Sequence, residues 1–84
     1  MNRTKRIKKI LEKKLKDYTI IVIDNSNKHI GHNNFNGNGE THILVELTHT
    51  LIEKVNRLEL HKQINHLLKE EFESGLHSLQ IKII

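Results

Sequence analysis

The chain has no cysteine, no proline and no tryptophan among its 84 residues. Without cysteine it cannot form a disulfide, a thiolate zinc site or a thiol nucleophile, and it cannot hold an iron–sulfur cluster on thiolates of its own. Any metal must therefore bind through histidine or carboxylate, or through groups that a partner supplies. The length allows one small domain, so residues 1–84 are predicted to form a single unit.

The sequence also has no long apolar run. The longest is Ile20–Ile23, whereas a membrane helix needs roughly twenty apolar residues. The basic first residues are not followed by the apolar stretch of a signal peptide. We therefore expect a soluble, cytoplasmic chain, and because only 4% of its residues are aromatic, its core should be aliphatic.

Positive charge is concentrated in one segment. Residues 1–16 contain eight of the fourteen Lys and Arg and a single acid, Glu12, which gives this segment a net charge of +7. Residues 17–84 sum to −3. Any nucleic-acid contact surface is therefore expected on the first segment.

Apolar residues that recur at three- and four-residue steps predict three helices. The first covers residues 3–16, where Ile7, Ile10, Leu11 and Leu15 form a narrow apolar stripe. A short helix is predicted over residues 50–57. A longer one follows, with its apolar face formed by Leu60, Ile64, Leu67, Leu68 and Phe72.

Alternating or β-branched apolar residues predict three strands, over residues 18–23, 41–48 and 77–83. Between the first two, the segment 25–39 is rich in Asn, Gly and His and has no apolar period, so it is predicted to be a long loop. The first two strands should pair antiparallel, and a strand that returns through helices normally pairs parallel. We therefore predict an α+β domain, a two-layer sandwich in which a mixed three-stranded sheet carries helices on one face.

Seven histidines are the residues most suited to a site. His29 and His32 lie three apart in the predicted loop, where two imidazoles could share a metal ion. His77 begins the third predicted strand on its apolar side, where we expect it to be partly buried, either as a ligand or as a hydrogen-bonded residue at a strand end. His42 and His61 could orient the loop or cap a backbone group.

The other two histidines, His49 and His66, are expected on solvated surface without a site role. The sequence has no glycine-rich phosphate loop after a strand, no paired carboxylates and no nucleophile elbow. We therefore predict that the chain is not an enzyme and takes no small-molecule substrate.

Three short segments carry a family resemblance. They are residues 24–32 (Asp-Asn-Ser-Asn-Lys-His-Ile-Gly-His), residues 39–42 (Gly-Glu-Thr-His) and residues 75–79 (Gly-Leu-His-Ser-Leu). Their order and spacing resemble the BolA-like family, which has a His-x-Gly-His loop, Glu-Thr-His entering the second strand and His-Ala-Leu entering the last. The resemblance implies a helix–strand–strand–helix–helix–strand domain similar to the second class of KH folds.

The resemblance implies, first, an adaptor that partners a monothiol glutaredoxin and co-ligates or regulates a [2Fe–2S] cluster, in cluster assembly, trafficking or iron and redox sensing. Carried over by position, the ligands are His77 and His29, with His32 as a substitute because this loop is longer than in the shorter family members. The partner would add a cysteine and glutathione. The chain is then expected to be a monomer without cofactor when alone and a heterodimer in the complex.

The alternative that the resemblance implies is a DNA-binding transcriptional regulator of stress response and cell morphology. Phosphate contacts would come from the first helix. The family's Arg-His-Arg helix start corresponds here to Leu60-His61-Lys62, which has neither guanidinium and keeps a single lysine, Lys62. The candidate nucleic-acid residues are His61, Lys62, Lys8, Lys9 and Lys13.

Overall fold

The computed structural model describes residues 2–25, 41–49 and 55–84 of the chain. These residues form three helices and three strands, which are α1 (Arg3–Lys14), β1 (Tyr18–Asp24), β2 (His42–His49), α2 (Arg57–Leu67), α3 (Lys69–Glu73) and β3 (Ser78–Ile83). Beyond Asn25, the predicted loop over residues 25–39 lies outside the described residues.

The three strands form one mixed sheet in the order β1-β2-β3. β1 pairs antiparallel with β2, with Val22 opposite Val45, and β2 pairs parallel with β3, with Val45 beside Ile81. β2 and β3 can run parallel because the chain between them passes through α2 and α3. The predicted α+β fold with its mixed sheet is confirmed.

The helices cover one face of this sheet. Because side chains alternate along a strand, β2 directs Ile43, Val45 and Leu47 to the covered face, where each is at most 2% exposed. On the opposite face, Ile21 of β1 remains 48% exposed. The other buried core residues are Ile7, Leu11, Leu15, Ile20, Leu60, Ile64, Leu68 and Leu76. The core of the described residues is thus aliphatic, as the low aromatic content predicts.

Asparagine begins each of the two long helices. The side chain of Asn2 accepts a hydrogen bond from the backbone N–H of Lys5 at 2.9 Å, and that of Asn56 accepts one from the backbone N–H of Glu59 at 3.1 Å. Each bond satisfies an N–H group of the first turn that has no partner within the helix. The caps therefore fix the starts of α1 and α2.

The predicted short helix over residues 50–57 falls mostly outside the described residues, which resume at Val55. Val55 and Asn56 are not helical, because Asn56 is the cap before α2. Among the described residues, the two helices between β2 and β3 are α2 and α3, into which the predicted longer helix is divided at Leu68.

The side chain of α3 that faces the interior is not the predicted one. Phe72 was predicted on the apolar face, but it is 36% exposed, whereas its neighbour Glu71 is only 5% exposed. At 3.6 residues per turn, position 71 lies only about 20° around the helix from Leu60 and position 72 about 120° away, so the helical period itself places Glu71 on the apolar stripe. The prediction for Phe72 is wrong, and a buried carboxylate takes the interior position.

Candidate functional site

His77 lies between α3 and β3, directly before the third strand. Its backbone N–H donates to the carbonyl oxygen of Thr41 at 2.8 Å, and the N–H of Ser78 donates to the same oxygen at 3.1 Å. The side chain of His77 is exposed, while that of the preceding Leu76 is 4% exposed. The expectation that His77 is partly buried is wrong, and the buried position before β3 is taken by Leu76 instead. The result is an exposed imidazole on a fixed backbone.

His42, the first residue of β2, lies beside His77. The centres of the two imidazole rings are 6.0 Å apart and their planes are tilted by 49°. Nδ1 of His42 lies 3.0 Å from the hydroxyl oxygen of Thr41, and the side chain is half-buried. The sequence did not indicate this pair, because it depends on the parallel register that puts His42 beside Ser78.

The described residues on either side of the predicted loop meet at this histidine pair. The backbone N–H of Asn25, just after β1, donates to the carbonyl oxygen of His42 at 2.8 Å, and Thr41 directly precedes β2. The predicted loop ligands His29 and His32 lie outside the described residues. The described residues that flank this segment, Asn25 and Thr41, are hydrogen-bonded to the backbones of His42 and His77.

The site offers imidazole nitrogen and no thiolate. A [2Fe–2S] cluster needs four ligands, and histidine can replace cysteine on one of its two irons. An exposed His77 fits one such position, and the chain, which has no cysteine, can supply only part of the set. Within residues 2–25, 41–49 and 55–84, no group of three or more metal-ligating side chains is brought together.

An ion-pair network surrounds the buried carboxylate of Glu71, six residues before His77. Arg6 donates to Glu71 from Nε and from Nη2, both at 2.6 Å, and Arg3 donates from Nε at 3.0 Å. The hydrogen bond from Arg6 is the main cause that lowers the pKa of the Glu71 carboxyl below its ordinary value of 4.5, against the opposing effect of burial. The network therefore joins the first turns of α1 to α3 through a charged carboxylate.

The same network extends to the turn that leads to His77. Nη2 of Arg3 donates to the carbonyl oxygen of Ser74 at 2.9 Å, and Gly75 follows with a φ of 121°. A positive φ of this size is readily adopted only by glycine. The backbone N–H of Leu76 donates a hydrogen bond to the carbonyl oxygen of Glu71 at 2.9 Å, which closes the turn. The position of the His77 backbone thus depends on Arg3, Gly75 and Glu71.

The remaining histidines lie away from this site. His49 is half-buried and its ring contacts Tyr18 across β1 and β2, with centroids 5.1 Å apart, so the expectation that it is a solvated residue is wrong. His66 is exposed on α2, as expected. His61 is half-buried, and its backbone carbonyl accepts a hydrogen bond from the side chain of Asn65 at 2.8 Å.

The basic residues form a partly neutralised surface. Lys8, Lys9 and Lys13 of α1 are exposed. Arg3 and Arg6 of the same helix are engaged with Glu71, so the charge available to an external anion is lower than the sequence indicates. Lys62 is also exposed, with Nζ 4.0 Å from a carboxylate oxygen of Glu59.

The described part of the chain contains no helix with the length and apolar character required to cross a bilayer. Its elements define a two-layer α+β domain with an exposed histidine before the last strand. Residues 11–84 match the family model described as BolA-like protein, and the chain belongs to the BolA-like family. The resemblance predicted from its short motifs is confirmed.

Three known proteins illustrate the relationship. The chain is 35% identical over 82 residues to Protein BOLA1, chloroplastic, of Arabidopsis thaliana, covering 95% of this chain and 51% of that protein. It is 37% identical over 84 residues to UV-induced protein uvi31 of Schizosaccharomyces pombe, covering 96% and 82%. The solved BolA domain of SufE1 from Arabidopsis thaliana superposes with a TM-score of 0.79 at 34% identity, covering 99% of this chain and 91% of that one. The chain thus spans about half the length of the first relative.

Proposed function

We propose that this chain is a cytoplasmic adaptor that binds a monothiol glutaredoxin and co-ligates or regulates a [2Fe–2S] cluster. The observation that carries the proposal is the exposed imidazole of His77, whose backbone is held by a hydrogen bond to Thr41, next to the residues that flank the histidine-bearing segment. An exposed ligand on a fixed backbone suits a cluster held between two proteins, because the second protein must reach the same metal.

In this proposal the ligands are divided between the two proteins. His77 supplies one nitrogen, and His29, or His32 in its place, supplies the second. The glutaredoxin supplies its cysteine thiolate and the thiolate of its bound glutathione, which provides the sulfur ligands that this chain lacks. The chain alone is then a monomer without a cluster and a heterodimer in the complex, and it acts as an adaptor rather than an enzyme.

Replacing His77 by alanine is expected to abolish the shared cluster without unfolding the chain, because the exposed imidazole contributes little to the core. The chain and a monothiol glutaredoxin would be co-expressed and purified without oxygen, and the visible absorption and circular dichroism of the complex recorded. The wild-type heterodimer should give a cluster spectrum different from that of the glutaredoxin homodimer.

The His77→Ala sample should instead give the homodimer spectrum. His66→Ala, at an exposed position on α2, is the matched control and should keep the heterodimer spectrum. A heterodimer spectrum that survives in His77→Ala would contradict the ligand assignment. Loss of the far-ultraviolet circular dichroism of that variant would instead assign His77 a structural role.

DNA binding is a second candidate function, and the exposed lysines of α1 favour it. Contacts between lysine and phosphate release counterions, so affinity would fall steeply with salt. On α2, the exposed Lys62 and the half-buried His61 are further candidate contacts. The binding would be largely independent of sequence, because lysines on phosphate position a protein without reading bases.

Replacing Lys8, Lys9, Lys13 and Lys14 together by glutamine separates the two functions. If the chain is a DNA-binding regulator, the slope of log K against log salt should fall by as much as about four in a fluorescence-anisotropy titration, since each lost phosphate contact removes roughly 0.9. If it is the glutaredoxin adaptor, the cluster spectrum of the heterodimer should be unchanged. The His77→Ala variant should show the opposite pattern.

A further inference from the structure

We propose that His42 and His77 form a two-imidazole site for a single divalent transition-metal ion, of the class that includes Zn²⁺, Ni²⁺ and Cu²⁺, in the chain without any partner. The proposal concerns a mononuclear ion, and it does not depend on the glutaredoxin complex. It rests on the pairing of these two rings at the starts of β2 and β3.

The separation of the rings fits one shared ion. A metal ion lies about 2.0–2.1 Å from an imidazole nitrogen, hence roughly 3.2 Å from the ring centre, so two rings on one ion have centres at most about 6.4 Å apart. At a tetrahedral angle the separation is roughly 5 Å. The observed 6.0 Å lies between these values, so the spacing of the two rings is compatible with one shared ion.

The exposure of the two side chains favours access by an ion. His77 is exposed and can rotate, while its backbone is held by the carbonyl oxygen of Thr41. Half-buried His42 is the more constrained of the two rings. An ion can therefore bind to His42 from the solvent side, and the side chain of His77 can rotate to coordinate the same ion.

The contact with Thr41 prepares His42 as a ligand. Its hydroxyl oxygen lies 3.0 Å from Nδ1 of His42. When Nδ1 donates its proton to this oxygen, the lone pair of the imidazole is on Nε2, which becomes the ligating atom. Such an outer hydrogen bond fixes both the tautomer and the orientation of a metal-binding histidine.

The ligand type determines which ions the site selects. Imidazole nitrogen suits zinc, copper and nickel, whereas magnesium and calcium prefer oxygen ligands. Two protein ligands leave the other coordination positions to water or to a further donor. The site is therefore expected to bind Zn²⁺ and not to bind Mg²⁺.

The test uses the full chain alone and Zn²⁺ as the probe. Isothermal titration calorimetry should show one ion per chain, and histidine side-chain NMR should show the resonances of His42 and His77 shifting together at that stoichiometry. Removing either ligand should weaken binding about tenfold or more, since even an outer-shell partner typically contributes that much. Mg²⁺ should cause no shift.

His42→Gln and His77→Gln are the informative variants, and His66→Gln at an exposed site on α2 is the matched control that should bind Zn²⁺ like the wild type. If His42→Gln destabilises the fold, the exposed His77→Gln and the wild-type NMR titration still decide the question. Shifts confined to His77, or affinity unchanged in His77→Gln, would overturn the proposal. The proposal would also be overturned if Zn²⁺ binding were lost only in a double variant with His29→Gln and His32→Gln. Since no glutaredoxin is present, none of these outcomes bears on the shared cluster.

Discussion

Replacing Glu71 by glutamine is expected to lower the free energy of unfolding by about 3 kcal/mol, because removing one partner of a buried ion pair leaves the other charge without compensation. Glu71 receives three hydrogen bonds from Arg3 and Arg6. The side chain of Arg3 is only 12% exposed, so water can solvate it poorly once the carboxylate is gone. A loss of this size reduces the ratio of folded to unfolded chain roughly a hundredfold.

Urea denaturation of the wild type and the variant at neutral pH measures this difference. Glu70→Gln is the matched control, since Glu70 precedes Glu71 on the same helix and is exposed. It should change the free energy of unfolding by less than about 0.5 kcal/mol, as is usual for a surface substitution. Equal effects of the two variants would mean that the ion-pair network contributes nothing beyond an ordinary surface charge.

The stability contributed by Glu71 should also depend on pH. Its folded-state pKa lies below the ordinary value of 4.5, so in acid the unfolded chain binds more protons than the folded chain. The contribution is therefore fully present above about pH 4.5 and is lost as the pH falls through the folded-state pKa. The wild type should lose stability in this range more steeply than Glu71→Gln, measured by thermal unfolding at constant ionic strength.

Replacing Gly75 by alanine is expected to cost about 1–3 kcal/mol, the range for a side chain held in a sparsely populated backbone conformation. A Cβ atom at this position would lie 3.6 Å and 3.7 Å from the guanidinium nitrogens of Arg3, which is ordinary contact. The cost therefore comes from the φ of 121° rather than from a clash.

Urea denaturation gives the change in stability for Gly75→Ala, and amide chemical shifts show whether the backbone of His77 moves. Glu73→Ala, an exposed position at the end of α3, is the control and should change stability by less than about 0.5 kcal/mol. A Gly75→Ala variant as stable as the wild type would mean that the turn can adopt a negative φ, and that glycine is not required there.

Much of the fold could be predicted from local pattern. The alternation of Ile43, Val45 and Leu47 indicated a strand with one buried face, and each of the three is buried. The three-residue spacing of Ile7 and Ile10 indicated α1 in the same way. These patterns predict a helix or a strand from the sequence because each depends only on residues a few positions apart.

The parts that could not be predicted depend on residues distant in sequence. The buried carboxylate of Glu71 is stabilised by ion pairs with Arg3 and Arg6 of α1. Both arginines are distant from Glu71 in the sequence, so the local pattern around Glu71 does not indicate them. The pairing of His42 with His77 depends on the register of β2 against β3. The family motif identifies His77 as a candidate site residue, but its exposure is not evident from the local alternation, which predicts a partly buried side chain.

The parallel pairing of β2 with β3 has a consequence for how the chain acquires its histidine pair during synthesis. A ribosome releases His42 well before His77, and α1, β1 and β2 can associate while the later residues are still being made. The two rings become neighbours only after α2 and α3 have formed the crossover and β3 has docked, which is a non-local and therefore slow step. A nascent chain thus cannot present the paired imidazoles until its last strand is in place.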